Sequence, residues 1–535
     1  MEWLNTREGE RLGTLGPAVD AAIADLVGRD AVARLWSGDH TLWQDDPTEV
    51  ADRLGWLRVG PEVAAARADL DAFAADVYGD GFTNVLLMGM GGSSLFPEVI
   101  ATTFAHPDDR PRLAVLDSTD PAAVRRVEAA LDLDHTLFVA ASKSGSTLET
   151  ASHLAYFWDR VGRPEQFAAI TDGGSALEAT ARERGFRRVF VNRPDIGGRY
   201  SALSWFGIVP AALAGVDYLR LLRSADVVAG QLGPDGDTHR HPGLRLGAVM
   251  AAAAKAGRDK LTLVLDPAIA TFGLWLEQLV AESTGKAGTG VVPIAGEDVA
   301  DDLSVYGDDR LFVALGWHPA LDELADAGHP VVELPYENPY GLGAQVLLWE
   351  FATALCGAGL GINPFDQPNV AEAKAATNDV LARLEPGGGN PPGAADDPLA
   401  VDAEPLDALL AQVRPGDYLA LQAYVDPESP VVADLQRIRL ALRDRLGVAT
   451  TLGVGPRFLH STGQLHKGGP PSGVFVQVVD DDALAGGGGP AIPGQPFGFG
   501  TLLAAQAAGD LATLRAHGRR AARVTLDDLL AAADA

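Results

Sequence analysis

"TLFVAASKSGSTLET", residues 136–150, decides the reading of the fold. Its first six residues form an unbroken apolar run, the pattern of a strand buried on both faces. Its end opens "LETASHLAYFWDR" (148–160), where apolar residues recur at helical spacing. A buried strand running through a short turn into a helix is the repeating unit of a parallel sheet covered by helices. The turn itself holds three serines, a threonine, a lysine and a glycine, with no bulky apolar residue before Leu148.

The same unit recurs on both sides of this stretch. "NVLLMG" (84–89), "RLAVLD" (112–117), "FAAIT" (167–171) and "RVFVN" (188–192) each end in Gly, Asp, Thr or Asn ahead of helical sequence. After a helical connector comes a second series: "LTLVLD" (261–266), "VVPI" (291–294), "RLFVAL" (310–315), "PVVELP" (330–335), "YLALQAYV" (418–425) and "GVFVQVV" (473–479). The fold class expected is α/β, with two units at 81–222 and 223–480 and mainly parallel sheets. Residues 1–80 read as a helical N-terminal extension and 481–535 as a C-terminal loop and helical tail. The Gly/Pro-rich stretch 384–405 reads as a flexible loop or linker, and 480–498 is similar.

Composition narrows the function. At 535 residues the chain is long enough for more than one core. A formal net charge of −30 argues against nucleic acid or an anionic membrane surface as partner. Cys356 is the only cysteine, so no intramolecular disulfide forms and a reducing compartment is the simplest setting. "MEWLNTREGERLG" lacks the basic start and apolar core of a signal peptide, and the expected location is cytoplasmic. Lysine occurs only at 143, 255, 260, 286, 374 and 467, four of these (143, 286, 374 and 467) within candidate motifs, the last in "RFLHSTGQLHKGGP" (457–470). A chain that otherwise uses arginine keeps lysine where the two are not interchangeable.

In open parallel sheets, ligands bind beyond the carboxyl ends of the strands. A helix N-terminus offers unpaired N–H groups to an anion such as phosphate. Ser142, Ser144, Ser146 and Thr147 add hydroxyls there, Lys143 adds charge, and Gly145 lets backbone approach closely. "MGMGGSSL" (88–95) repeats this logic at another strand end, with Gly92 and Ser93 as candidate contacts. It is neither the G-x-G-x-x-G dinucleotide fingerprint nor a P-loop. The two loops read as two walls of one sugar-phosphate site.

These loops resemble the sugar-isomerase (SIS) fold. "DIGGRYSALS" (195–204), "EQLVAESTGKAGTG" (277–290), "INPFDQPNVAEAK" (362–374) and "HSTGQ" (460–464) together resemble the glucose-6-phosphate isomerase family. The resemblance implies two SIS-type α/β/α sandwiches. It also implies reversible conversion of glucose 6-phosphate to fructose 6-phosphate through a cis-enediol, in glycolysis and gluconeogenesis. Such chemistry needs a carboxylate base, a cation beside the enediolate and an acid–base group at the ring oxygen. By resemblance Glu282 is the base, Arg199 the enediolate partner, Gln367 a substrate contact, and Lys374 a group at the ring oxygen or phosphate. His460 best matches the ring-opening histidine, and His466 stands close enough to compete. Neither a metal nor a cofactor is implied. Family members are typically homodimers whose histidine comes from the neighbouring subunit, so a homodimer is expected.

One departure concerns order. His460 follows Lys374, whereas the family's histidine motif usually precedes the Gln…Lys motif. That order is similar to the isomerase half of bacterial transaldolase–isomerase fusions, although no transaldolase half is visible here. Rival readings are an isomerase that also takes mannose 6-phosphate, and a non-catalytic SIS sugar-phosphate sensor. A sensor keeps the phosphate loops but has no need of Glu282, Arg199 and His460.

Overall fold

The computed structural model describes residues 9–236, 240–384, 406–479 and 489–533. Nearly all of the stretch 384–405, and the first part of 480–498, lie outside them. The strands are β1 (Glu10–Arg11), β2 (Asn84–Met88), β3 (Arg112–Leu116), β4 (Thr136–Ala141), β5 (Phe167–Asp172), β6 (Arg188–Asn192), β7 (Lys260–Leu265), β8 (Val292–Ile294), β9 (Arg310–Leu315), β10 (Val331–Leu334), β11 (Tyr418–Tyr424), β12 (Ala449–Val454), β13 (Gly473–Val479) and β14 (Arg520–Thr525).

The first sheet has the order β3-β2-β4-β5-β6, every pair parallel. All six residues of β4 are buried, as its unbroken apolar run requires. Each fully buried Leu, Val or Phe side chain there contributes about 1.5–3 kcal/mol relative to exposure. Strand order reverses between β2 and β4, which lie side by side with Asn84 opposite Thr136 and Met88 opposite Ala140. The crevice at such a switch point is where α/β sheets bind ligands. The glycine loop leaves β2 and the serine loop leaves β4, so both open on that crevice.

The strands of the second series divide between two further sheets. One has the order β1-β10-β9-β7-β8, parallel except for β1, which pairs antiparallel with β10. The other is the all-parallel β12-β11-β13-β14. Ala449 on β12 and Val292 on β8 share one apolar cluster with Leu465 and Phe475, which joins the two sheets. Within the segment read as a helical tail, Arg520–Thr525 forms β14 and buries Ala522 and Val524 against β13. "RAARVT" reads as the continuation of a helix until the neighbouring strand is known. The apolar helix Leu342–Leu360 is long enough to cross a bilayer but is buried within the protein, where it packs on Pro242–Lys255 and Tyr218–Ala229. A core shared by the first two sheets and these helices fixes them as one body.

Candidate active site

A cleft of about 600 Å³ opens at the switch point. On one side is the turn between β4 and the helix Leu148–Val161. Thr147 occupies that helix's N-cap position without bonding the first turn, so the turn's N–H groups have no side-chain cap. Ser144 and Ser146 are exposed to the cleft, their hydroxyl oxygens 2.9 Å apart. Ser142 is buried beneath the turn instead. Its Oγ accepts from the Gly145 amide at 3.1 Å and lies 3.1 Å from Thr147 Oγ1. It shapes the turn and does not line the cleft. Lys143 lines the wall but is paired with Asp172 and donates to the Pro194 carbonyl at 2.9 Å.

The glycine loop forms the floor, with Gly92 and Ser93 in the lining. A Cβ on Gly92 would lie 1.9 Å from the Gly198 carbonyl oxygen, so only glycine lets the two backbones meet there. That contact seats Arg199, which follows Gly198 and is 3% exposed. Its guanidinium is fixed on all sides. Nε donates to Ser283 Oγ at 2.9 Å, and one terminal nitrogen donates to the carbonyls of Pro364 and Asp366, both at 2.8 Å. The other donates to Gln367 Oε1 at 2.8 Å and lies 3.2 Å from Glu282 Oε1.

Glu282 sits near the end of the helix Phe272–Thr284, 6% exposed and facing the cleft. Gln278, one turn earlier, donates through Nε2 to Glu282 Oε2 at 3.1 Å and to the His460 carbonyl at 2.9 Å. His460 reaches the cleft from the turn Arg457–His460, its Nε2 2.8 Å from Glu149 Oε1. Gln367 stands just before the helix Pro368–Leu384 and Lys374 on it, and both line the cleft. Lys374 is exposed there and makes no ion pair with another described residue. A buried carboxylate on a fixed guanidinium, an imidazole, a free ammonium and an open hydroxyl loop thus face one cavity.

Residues 69–297 match the family model described as phosphoglucose isomerase. A glucose-6-phosphate isomerase of Citrifermentans bemidjiense is 30% identical over 399 residues, covering 61% of this chain and 74% of the relative. The chain belongs to the phosphoglucose isomerase family. As a member it is an enzyme, an aldose–ketose isomerase of the glucose-6-phosphate isomerase type. Two solved structures share its fold. A hypothetical protein from Thermus thermophilus matches with a TM-score of 0.59 at 24% identity, covering 70% of this chain and all of that one. A glucose-6-phosphate isomerase from Chlamydia trachomatis matches with a TM-score of 0.53 at 22% identity, covering 66% and 78%.

The matched span of the family model ends before Gln367, Lys374 and His460, yet the cleft contains all three. Their position late in the chain does not keep them from it. His460 lines the cleft of its own chain. His466 is elsewhere: it packs among Phe458, Phe475 and Tyr418 and accepts from Gln422 at 3.1 Å. Burial, then the charge of Lys467, drives its pKa well below the ordinary value. It is a core histidine.

Sequence reasoning did not single out Gln278, Ser283 or Glu149, and it marked Lys286 only as a lysine kept within a motif, with no role. Lys286 donates to the Asp366 carboxylate at 2.6 Å and to its carbonyl at 2.7 Å, pinning the segment that presents Gln367. Burial, then the neighbouring Arg199, draws its pKa down to about 8. Glu149 is fully buried, which alone would raise its pKa. The charge of His460 and the hydrogen bond between them outweigh that and hold it down to about 2. Gln278 carried a signal, since a four-residue offset on a helix places it on the same face as Glu282.

Proposed function

We propose that this cleft interconverts glucose 6-phosphate and fructose 6-phosphate through a cis-enediol, with the roles that follow. Ser144, Ser146, Thr147 and the open N-terminus of the helix Leu148–Val161 hold the phosphate, helped by Lys143. Ser142 shapes that loop, and Gly92, Ser93 and Gln367 line the sugar. His460, backed by Glu149 and with Lys374 beside it, gives a proton to the ring oxygen and takes the one on O1, which opens the ring. Glu282 then removes the proton on C2 as the electron pair moves to the carbonyl oxygen. The enediolate develops opposite the immobile guanidinium of Arg199. Return of the proton to C1 and transfer of the O2 proton to O1 leave the ketose.

The observation that carries this reading is the 3.2 Å approach of Glu282 to Arg199 inside the cavity that holds the hydroxyl loop. A sensor has no use for a buried base on a fixed cation. A homodimer remains part of the proposal. The acidic composition and single cysteine favour a cytoplasmic protein with no nucleic-acid or membrane partner.

Turnover of glucose 6-phosphate in D2O tests the reading. Fructose 6-phosphate should form with deuterium partly incorporated at C1, because the carboxylic acid exchanges its proton with solvent. Tight binding of either sugar without conversion or exchange would instead identify a sensor.

A further inference from the structure

The helix Phe499–Ala516 lies outside the main cleft lining, but its Gln506 and Asp510 line an adjoining cavity of about 260 Å³ together with Glu149, Lys374 and His460, so one of its faces stands behind both groups assigned to the ring oxygen. Gln506, Gly509 and Asp510 share that face at helical spacing. Gln506 is buried and its amide has one orientation open to it. Thr119 Oγ1 donates to its Oε1 at 2.6 Å, so its NH2 is left to donate to Glu149 Oε1, at 2.7 Å. The same Glu149 oxygen is the partner of His460 Nε2.

Three residues on, Gly509 meets the helix Pro368–Leu384. A Cβ there would lie 2.8 Å from the Thr377 amide nitrogen and 3.0 Å from its Cα. Thr377 lies about one turn beyond Lys374. The separation of the two helices at this crossing therefore sets how far Lys374 reaches into the cleft. Asp510 accepts from Lys467 at 2.5 Å, and Lys467 lies on the short helix Gly463–Gly468 just after His460. Buried ion pairs are weak devices for stability, and fixing register is their best-attested use.

We propose that Gln506 and Gly509 are positioning residues for ring opening: Gln506 orients His460 through Glu149, and Gly509 sets the depth of Lys374. The proposal rests on the assignment of His460 and Lys374 to the ring oxygen. It explains why a helix distant from the reacting carbons carries a buried amide, a glycine and a buried acid in succession on one face.

The test compares two ketoses. Fructose 6-phosphate must be opened, whereas 5-deoxyfructose 6-phosphate lacks the hydroxyl that closes the ring. Gln506→Met keeps the shape of the side chain and removes the donor. It should lower kcat on fructose 6-phosphate about tenfold, the scale of one hydrogen bond to a charged group, with KM unchanged. On the 5-deoxy sugar kcat should stay close to wild type. Gly509→Ala should show the same selectivity, and thermal unfolding checks that both variants fold. Equal losses on both sugars, or no loss on either, would overturn the proposal. His460→Asn separates the levels. If it too slows both sugars equally, the ring-opening assignment falls and this proposal with it; if it is selective while Gln506→Met is not, the positioning role alone falls.

Discussion

The phosphate end of the cleft and its acid–base end are built by different means. At the first, residues 142–147 supply the hydroxyls in one turn, and the strand and helix on either side fix where the turn points. At the second, Arg199, Glu282, Gln367, Lys374 and His460 come from four separate segments. They are held by contacts across hundreds of residues, such as Arg457 on Asp117 at 2.7 and 2.8 Å and Arg199 on the 364–367 turn. Local chain geometry suffices to grip an anion. Proton transfer needs groups placed to within a fraction of an ångström, and only tertiary contacts place them so. Damage at the first end should weaken binding, and damage at the second should stop chemistry.

The largest test of that contrast is Glu282→Gln. The amide keeps the size of the side chain and its one oxygen can still accept from Arg199, at the loss of the Gln278 hydrogen bond, so folding should be nearly unchanged. The base is gone, and kcat should fall by about 10³-fold or more, within the range for a positioned acid–base group. Calorimetric affinity for fructose 6-phosphate should change little. A variant that retained a tenth of the activity would show that the carboxylate is not the base.

A smaller effect should come from Glu149→Gln, read in stability. The folded pKa of Glu149, about 2, lies below its ordinary 4.5. Its contribution is therefore present above pH 4.5 and is lost as pH falls toward 2. The shift corresponds to something on the order of 3 kcal/mol. Urea midpoints at pH 5 and pH 3 should show a smaller acid loss in the variant than in wild type. Equal losses would mean that the Glu149–His460 pair does not carry this part of the acid sensitivity.

The same contrast decides what the sequence makes legible. The first sheet can be read from its apolar runs because each strand is buried on both faces and each turn lies at a strand end. β1 escapes such reading because two residues, Glu10 and Arg11, carry no pattern and pair only because β10 offers an edge. β14 escapes it because "RAARVT" suits a helix as well as a strand. In the cleft, Arg199 and Glu282 stand out through their motifs, whereas Gln278 and Glu149 acquire meaning only from partners 182 and 311 residues away. Ser142 shows the reverse limit: composition groups it with the other hydroxyls, and only the folded turn shows that it faces inward.

The smallest effect should come from the phosphate end, through Ser144→Ala. Ser144 Oγ accepts from the Ser146 amide at 3.2 Å and lies 2.9 Å from Ser146 Oγ, so its loss disturbs one neighbour and no core contact. The phosphate is gripped equally in the substrate and in the enediolate, so this hydroxyl provides binding that is uniform along the reaction. Its removal should raise KM about tenfold for either sugar phosphate and leave kcat nearly constant. Ser142→Ala should behave differently despite the same chemistry. It removes the acceptor of the Gly145 amide and loosens the turn, so it should lower stability as well as affinity. If Ser144→Ala lowered kcat as strongly as Glu282→Gln, the loop would be acting on the reacting carbons, and the division between a gripping end and a reacting end would not hold.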